Sequence, residues 1–188
     1  MSHNVVNFAS IHSACEQCGI YQLCLPAGLK SGDLDALDRL IKRRRPLERG
    51  QHLYHSGDEF RSIFALRSGS VKTYVMSEEG EEQVISVKMP GDLLGLSDIN
   101  SPLYTRSSVA LETCSVCEIP YERFEQLSRE VPGLHRQILN LMSREIHSEQ
   151  DRVTMCKSLS AEARLAGLLL TLSLRFEQRG YSASEFNL

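Results

Sequence analysis

The chain has 188 residues, of which 41% are hydrophobic and 24% charged, and a net charge of −3. It is long enough to bury a core, and its composition is that of an ordinary globular protein. The small negative charge argues against a self-sufficient nucleic-acid binder, which is normally basic. No apolar run approaches the ~18 residues of a membrane span, so no membrane partner is expected. Met1-Ser2-His3-Asn4 does not open an export signal. A cytoplasmic location is therefore expected, and there thiols stay reduced.

In chain order, the first informative stretch is Cys15-Glu16-Gln17-Cys18-Gly19-Ile20-Tyr21-Gln22-Leu23-Cys24. Cysteines that merely pack sit among apolar neighbours at helix or strand period. Here Glu16, Gln17 and Gln22 interleave with them. The loop therefore reads as one that points several sulfurs at a metal ion or an iron–sulfur cluster. Structural zinc, the alternative, more often uses paired CxxC motifs or a CxxC with histidines. Next, Ser31-Gly32-Asp33-Leu34 offers a helix N-cap, and Leu34, Leu37, Leu40 and Ile41 recur at helical spacing towards Pro46. Lys42-Arg43-Arg44-Arg45 reads as the solvated cationic end of that helix.

From Leu47 to about Pro120 the period changes. Alternating runs such as Ser62-Ile63-Phe64-Ala65-Leu66 and Ser70-Val71-Lys72-Thr73-Tyr74-Val75 are broken by Ser68-Gly69, Glu79-Gly80 and Pro90-Gly91-Asp92. Period two with regular turn residues predicts an antiparallel β-sandwich or roll. From Tyr121 the period is helical again, with a short segment holding Phe124 and Leu127, then a long helix over 133–158. On that helix Leu139, Met142, Ile146, Glu149, Val153 and Cys156 follow steps of three, four, three, four and three, an a/d seam that suits a second copy of the helix. Ser158-Leu159-Ser160-Ala161-Glu162 reads as a hinge and a cap, followed by another helix carrying Leu165, Leu168, Leu169, Leu172 and Phe176. No Ser-His-Asp ordering, phosphate loop or metalloprotease motif is present, so an enzyme is not expected.

With these residues in view, the sequence resembles the FNR-type (anaerobic, oxygen-sensing) branch of the CRP/FNR transcription factors. The resemblance is carried by the cysteine loop, Arg67-Ser68-Gly69-Ser70-Val71-Lys72, Glu79-Gly80-Glu81-Glu82-Gln83, and Pro90-Gly91-Asp92-Leu93 with Gly95. It also rests on Ala110-Leu111-Glu112-Thr113, Val116-Cys117-Glu118-Ile119-Pro120 and Leu141-Met142-Ser143-Arg144-Glu145-Ile146. It implies an α+β fold, in which an antiparallel β-roll (a cyclic-nucleotide-binding-like jelly roll) follows an N-terminal cysteine loop and helix and precedes a long dimerisation helix. The implied parts are a cluster-binding loop over 1–30 and a helix plus β-roll sensory domain over 31–130. A dimerisation helix over 131–158 follows, then over 159–188 the start of a DNA-binding domain that stops before any recognition helix.

By the same resemblance, Cys15, Cys18, Cys24 and Cys117 would hold an oxygen-labile [4Fe–4S] cluster. Four thiolates complete such a cluster, and a fourth must come from outside the loop. Cys114 and Cys156 are the other thiols on offer. Cys114 lies an odd number of residues from Cys117, so in a strand it faces the other way and is expected to pack in the core. The implied partners are a second copy of the chain, DNA through a helix-turn-helix missing from this chain, and RNA polymerase at the turns near 67–70 and 78–82. The implied function is an oxygen-responsive transcription regulator whose cluster controls a monomer–dimer equilibrium. A cyclic-nucleotide sensor is the alternative within the same superfamily. Gly95 and the Arg106-Ser107 pair sit at matching distances for it, but Leu96 occupies the place of the ribose-binding glutamate.

Overall fold

The computed structural model describes residues 15–158 and 160–185. The chain divides into two compact units, one up to Gln137 and one from Ile138.

In the first unit, helix α1 (Ser31–Leu40) buries Leu34 and Leu37 at the helical spacing seen in the sequence. Lys30, not Ser31, is its N-cap, and no side chain caps it. Eight strands follow: β1 (Lys42–Arg43), β2 (His52–Tyr54), β3 (Ser62–Ser68), β4 (Val71–Met76), β5 (Glu82–Lys88), β6 (Leu93–Leu94), β7 (Ser107–Ala110) and β8 (Ser115–Pro120). They form two four-stranded antiparallel sheets, ordered β1-β8-β3-β6 and β2-β7-β4-β5. This is the jelly roll expected from the alternation. Its core joins Leu53, Tyr54, Phe64, Leu66, Val71, Leu94, Ala110, Cys114 and Val116. Ser62 to Leu66 of β3 are all buried, without the alternation of a one-sided strand. A central strand covered on both faces reads that way. Helix α2 (Tyr121–Glu130) packs on β3 and β8 and supplies one of those covers.

One expectation about this unit is corrected. The basic run is not a solvated helix end. Helix α1 stops at Leu40, Ile41 turns extended, and Lys42 and Arg43 become edge strand β1, opposite Glu118 and Cys117 of β8. Two carboxylates draw the guanidinium groups in: Arg43 pairs with Asp38 at 2.5 Å and Arg44 with Glu118 at 2.6 Å. Sheet hydrogen bonds and these ion pairs are tertiary interactions that helical propensity cannot anticipate.

Helix α3 (Pro132–Ser158) begins in the first unit and runs on through the second, where α4 (Ala161–Glu177) follows it. The cap within 158–162 is Ser160, whose Oγ accepts from the Ala163 amide at 3.3 Å. Gly167 lies against the Met155 side chain, so a small residue sits where α3 and α4 meet.

Candidate functional site

The loop holding the first three cysteines folds as two short 3-10 turns, Cys15–Gln17 and Tyr21–Leu23. The Cys18 amide donates to the Cys15 carbonyl at 3.2 Å and the Tyr21 amide to the Cys18 carbonyl at 2.9 Å. Cys15 opens the first turn and Cys18 follows it directly. The Cys24 amide bonds to the Tyr21 carbonyl at 3.4 Å and closes the second turn.

Three contacts seat the loop's C-terminal half. Leu23 lies over Gly91, where a Cβ would come within 2.8 Å of its own Cβ. Leu29 lies over Gly133, where a Cβ would come within 3.1 Å of Cδ2. The Gln137 side-chain amide donates to the Cys24 carbonyl at 3.1 Å.

The fourth thiol comes from β8. Its alternation sends Val116 into the β-roll core and Cys117 to the other face, in register with Ala65 of β3 and Arg43 of β1. Cys15, Cys18, Cys24 and Cys117 line one cavity, together with Ile20, Leu25, Pro26, Ile41, Ile119 and the side chain of Arg67. All four are free thiols. Cys114 is fully buried in the β-roll core, and its Sγ lies 3.1 Å from the Ser70 carbonyl and 3.2 Å from that of Glu112. The odd spacing separates the two thiols as expected.

Burial dominates the electrostatics of Cys15, Cys24 and Cys117. It pushes the Cys24 thiol up to about 12. It does the same for Cys15, assisted by the facing carboxylate of Asp38. Burial also raises Cys117, opposed by the nearby cations Arg43 and Arg67. In a mostly apolar pocket Cys15, Cys24 and Cys117 hold their protons at neutral pH, so any metal that binds them must displace protons as it does so. Among the described residues, no three His, Cys, Asp or Glu side chains are gathered closely enough to hold a single metal ion. A [4Fe–4S] cluster makes a different demand, because each thiolate bonds its own iron and the four sulfurs need a shared cavity. The donor set fits that demand: four cysteines, two segments, one apolar pocket.

The other expected positions fall as follows. On α3, Leu139, Ile146 and Val153 are 51%, 56% and 51% exposed, and Met142 and Glu149 are partly exposed. The Glu149 carboxylate is held by Arg152 one turn on. The side chain of Cys156 lies outside the described residues. Ser107 is buried, and its hydroxyl accepts from the Ser56 amide at 3.0 Å, while Arg106 remains partly exposed. Gly95 has the positive φ of +84° needed to enter the turn Leu96–Asp98. Asp38 and Gln137 border the site without having been anticipated, and Arg67, read in the sequence only as part of the Arg67–Lys72 motif, lines the cavity. Asp38 and Gln137 are isolated polar residues with no motif spacing, and only the folded chain brings them to the loop.

Residues 44–130 match the family described as the cyclic nucleotide-binding domain. The chain is 45% identical to the transcriptional activator protein anr of Pseudomonas aeruginosa, over 93% of this chain and 71% of that one. It is also 45% identical to the fumarate and nitrate reduction regulatory protein of Vibrio cholerae, over 93% of this chain and 70% of that one. The fold is similar to that of the catabolite activator protein of Thermus thermophilus, with a TM-score of 0.60 and 22% identity over 85% of this chain and 81% of that one. Nothing in these alignments supports the expectation that a helix-turn-helix is lacking. By name, the first of these relatives is a transcriptional activator and the second a regulatory protein. A β-roll, a long helix and two such relatives aligned over nine tenths of the sequence agree: the chain belongs to the CRP/FNR family of transcription regulators.

Proposed function

We propose that the chain acts in an oxygen-responsive regulator through its sensory and dimerisation elements, and that Cys15, Cys18, Cys24 and Cys117 are the ligands of a [4Fe–4S] cluster. The observation that supports this most is the convergence of three loop thiols and one β8 thiol on a single cavity. Bound there, the cluster would supply an oxygen-labile covalent tie between the loop and the β-roll. The chain's own residues do the positioning. Leu23 and Leu29 key the loop onto Gly91 and Gly133, and Gln137 fixes the Cys24 carbonyl to α3. Gln137 precedes the first seam residue, Leu139, by two positions on the same continuous helix. A shift of the loop therefore acts on α3 at the start of its seam.

The seam residues Leu139, Met142, Ile146, Glu149, Val153 and Cys156 form the homodimer interface in this proposal. Apolar residues at a and d favour pairing, and two facing Glu149 carboxylates oppose it. An equilibrium balanced in this way responds to a bias of a few kcal/mol, which is what a sensor requires. DNA is the proposed target of the dimer, with RNA polymerase contacted from the β-roll turns. Cyclic-nucleotide binding is the weaker reading. The Ser107 hydroxyl is already engaged by Ser56, and Leu96 cannot accept a ribose hydroxyl. Titration with cyclic AMP should release no heat. The proposal is tested by following anaerobically reconstituted protein after air is admitted. Visible absorption should bleach over minutes while sedimentation moves from dimer to monomer. Bleaching without any change in sedimentation would overturn the coupling.

A further inference from the structure

We infer that Asp38, gripped by Arg43, is the positioning residue that holds the N-terminal end of the cysteine loop to the β-roll. The inference rests on the reading of Cys15, Cys18, Cys24 and Cys117 as one ligand set. One carboxylate oxygen, Asp38 Oδ1, accepts the Cys15 backbone N–H at 3.1 Å and the Arg43 guanidinium at 2.5 Å. These groups come from three elements: the first 3-10 turn, the last turn of α1 and strand β1. Arg43 stands in β1 directly opposite Cys117 of β8. The contacts therefore run from the first cysteine through Asp38 and Arg43 to the strand neighbour of the fourth. This tie needs no metal.

The grip suits positioning because it is charge-assisted and partly shielded. Hydrogen bonds with an ionised partner are roughly twice as strong as neutral ones. The Arg43 and Asp38 side chains are only 24% and 29% exposed, so water competes less than at an open surface pair. One bond goes to the Cys15 backbone N–H and fixes where the residue sits, and the same carboxylate also meets the Cys15 thiol. A loop already ordered at both ends, by Asp38 at Cys15 and Gln137 at Cys24, loses less conformational freedom when four sulfurs must bind together. Asp38 thereby sets how readily Cys15 joins, and how readily it leaves.

The test uses the full chain in two forms. In metal-free protein, hydrogen–deuterium exchange of loop peptides is compared for wild type, Asp38→Asn and Asp38→Ala. In anaerobically reconstituted protein, iron release to a ferrous chelator is timed for the same set. Asp38→Ala should speed exchange at the N-terminal end of the loop and iron release by about tenfold each, with β3 and β8 exchange unchanged. Asp38→Asn keeps an acceptor oxygen and should fall between. Unchanged loop exchange in Asp38→Ala, or loosening of β3 and β8 in parallel, overturns the inference. If Asp38→Ala does not fold, Asp38→Asn alone must show faster loop exchange over an unchanged core, or the inference fails. If wild type takes up no iron and sulfide, the cluster reading falls, and the grip of Asp38 stands or falls on the metal-free exchange alone.

Discussion

The Gln137 side-chain amide donates to the Cys24 carbonyl at 3.1 Å, which joins the last loop cysteine to the helix that carries the seam. Leucine at this position keeps the size and helix propensity and removes the donor. Gln137→Leu should load iron as wild type does. Its dimerisation should no longer respond to air, so that sedimentation constants with and without oxygen converge. An undiminished response would show that the signal reaches α3 by another route.

Glu149 is not a bare charge in the seam, because Arg152 on the next turn holds its carboxylate. Exposed ion pairs of this kind contribute about 0–1 kcal/mol, so in the proposed dimer the repulsion between two copies would be moderated rather than abolished. Glu149→Ala should tighten the dimer of metal-free protein by roughly three- to tenfold in sedimentation equilibrium, the equivalent of about 1 kcal/mol. Arg152→Ala, which leaves the carboxylate without that cation, should loosen it. If both variants shift association in the same direction, the electrostatic account of the seam is wrong.

The thiols offer a pH test on metal-free protein. Only the thiolate reacts with iodoacetamide. With Cys24 and Cys15 pushed up to about 12, chiefly by burial, each presents roughly a thousandth of the thiolate of an ordinary cysteine at pH 8. The sign is fixed: a raised value means less thiolate below it, and reactivity that climbs with pH beyond the ordinary thiol range. Peptide mapping should show both cysteines alkylated at least tenfold more slowly than in urea at pH 8. Equal rates in the folded and urea-unfolded states would contradict the buried cavity.

Gly69 tests the frame around the site. Its φ is +82°, and an added Cβ would lie 2.6 Å from the Thr113 carbonyl and 2.7 Å from Cys114 Sγ. Backbone strain and overpacking combine there, so Gly69→Ala should lower stability by about 2–4 kcal/mol in urea melts. Gly80, also at positive φ but with nothing within 4 Å of a Cβ, should cost less on the same substitution.

Periodicity made most of the fold legible. Leu34 and Leu37 marked α1, alternation marked β3 and β4, and the apolar spacing after Pro132 marked α3. The loop cysteines were legible because their spacing serves no packing purpose, and Cys114 was separated from Cys117 by parity alone. Arg43 was misread, since nothing local distinguishes a solvated cation from one facing Asp38 across a turn. Asp38 and Gln137 were invisible for the same reason. Each acts through a carbonyl, an amide or a guanidinium that only the tertiary fold brings within 3.1 Å.

Iron, zinc and acid-labile sulfide analysis of anaerobically reconstituted wild type and Cys117→Ala tests the central claim most directly. Four thiolates on one cluster predict about four iron atoms and four sulfides per chain in wild type, and loss of most of both in Cys117→Ala. Stoichiometric zinc without sulfide, or full loading of Cys117→Ala, would contradict it.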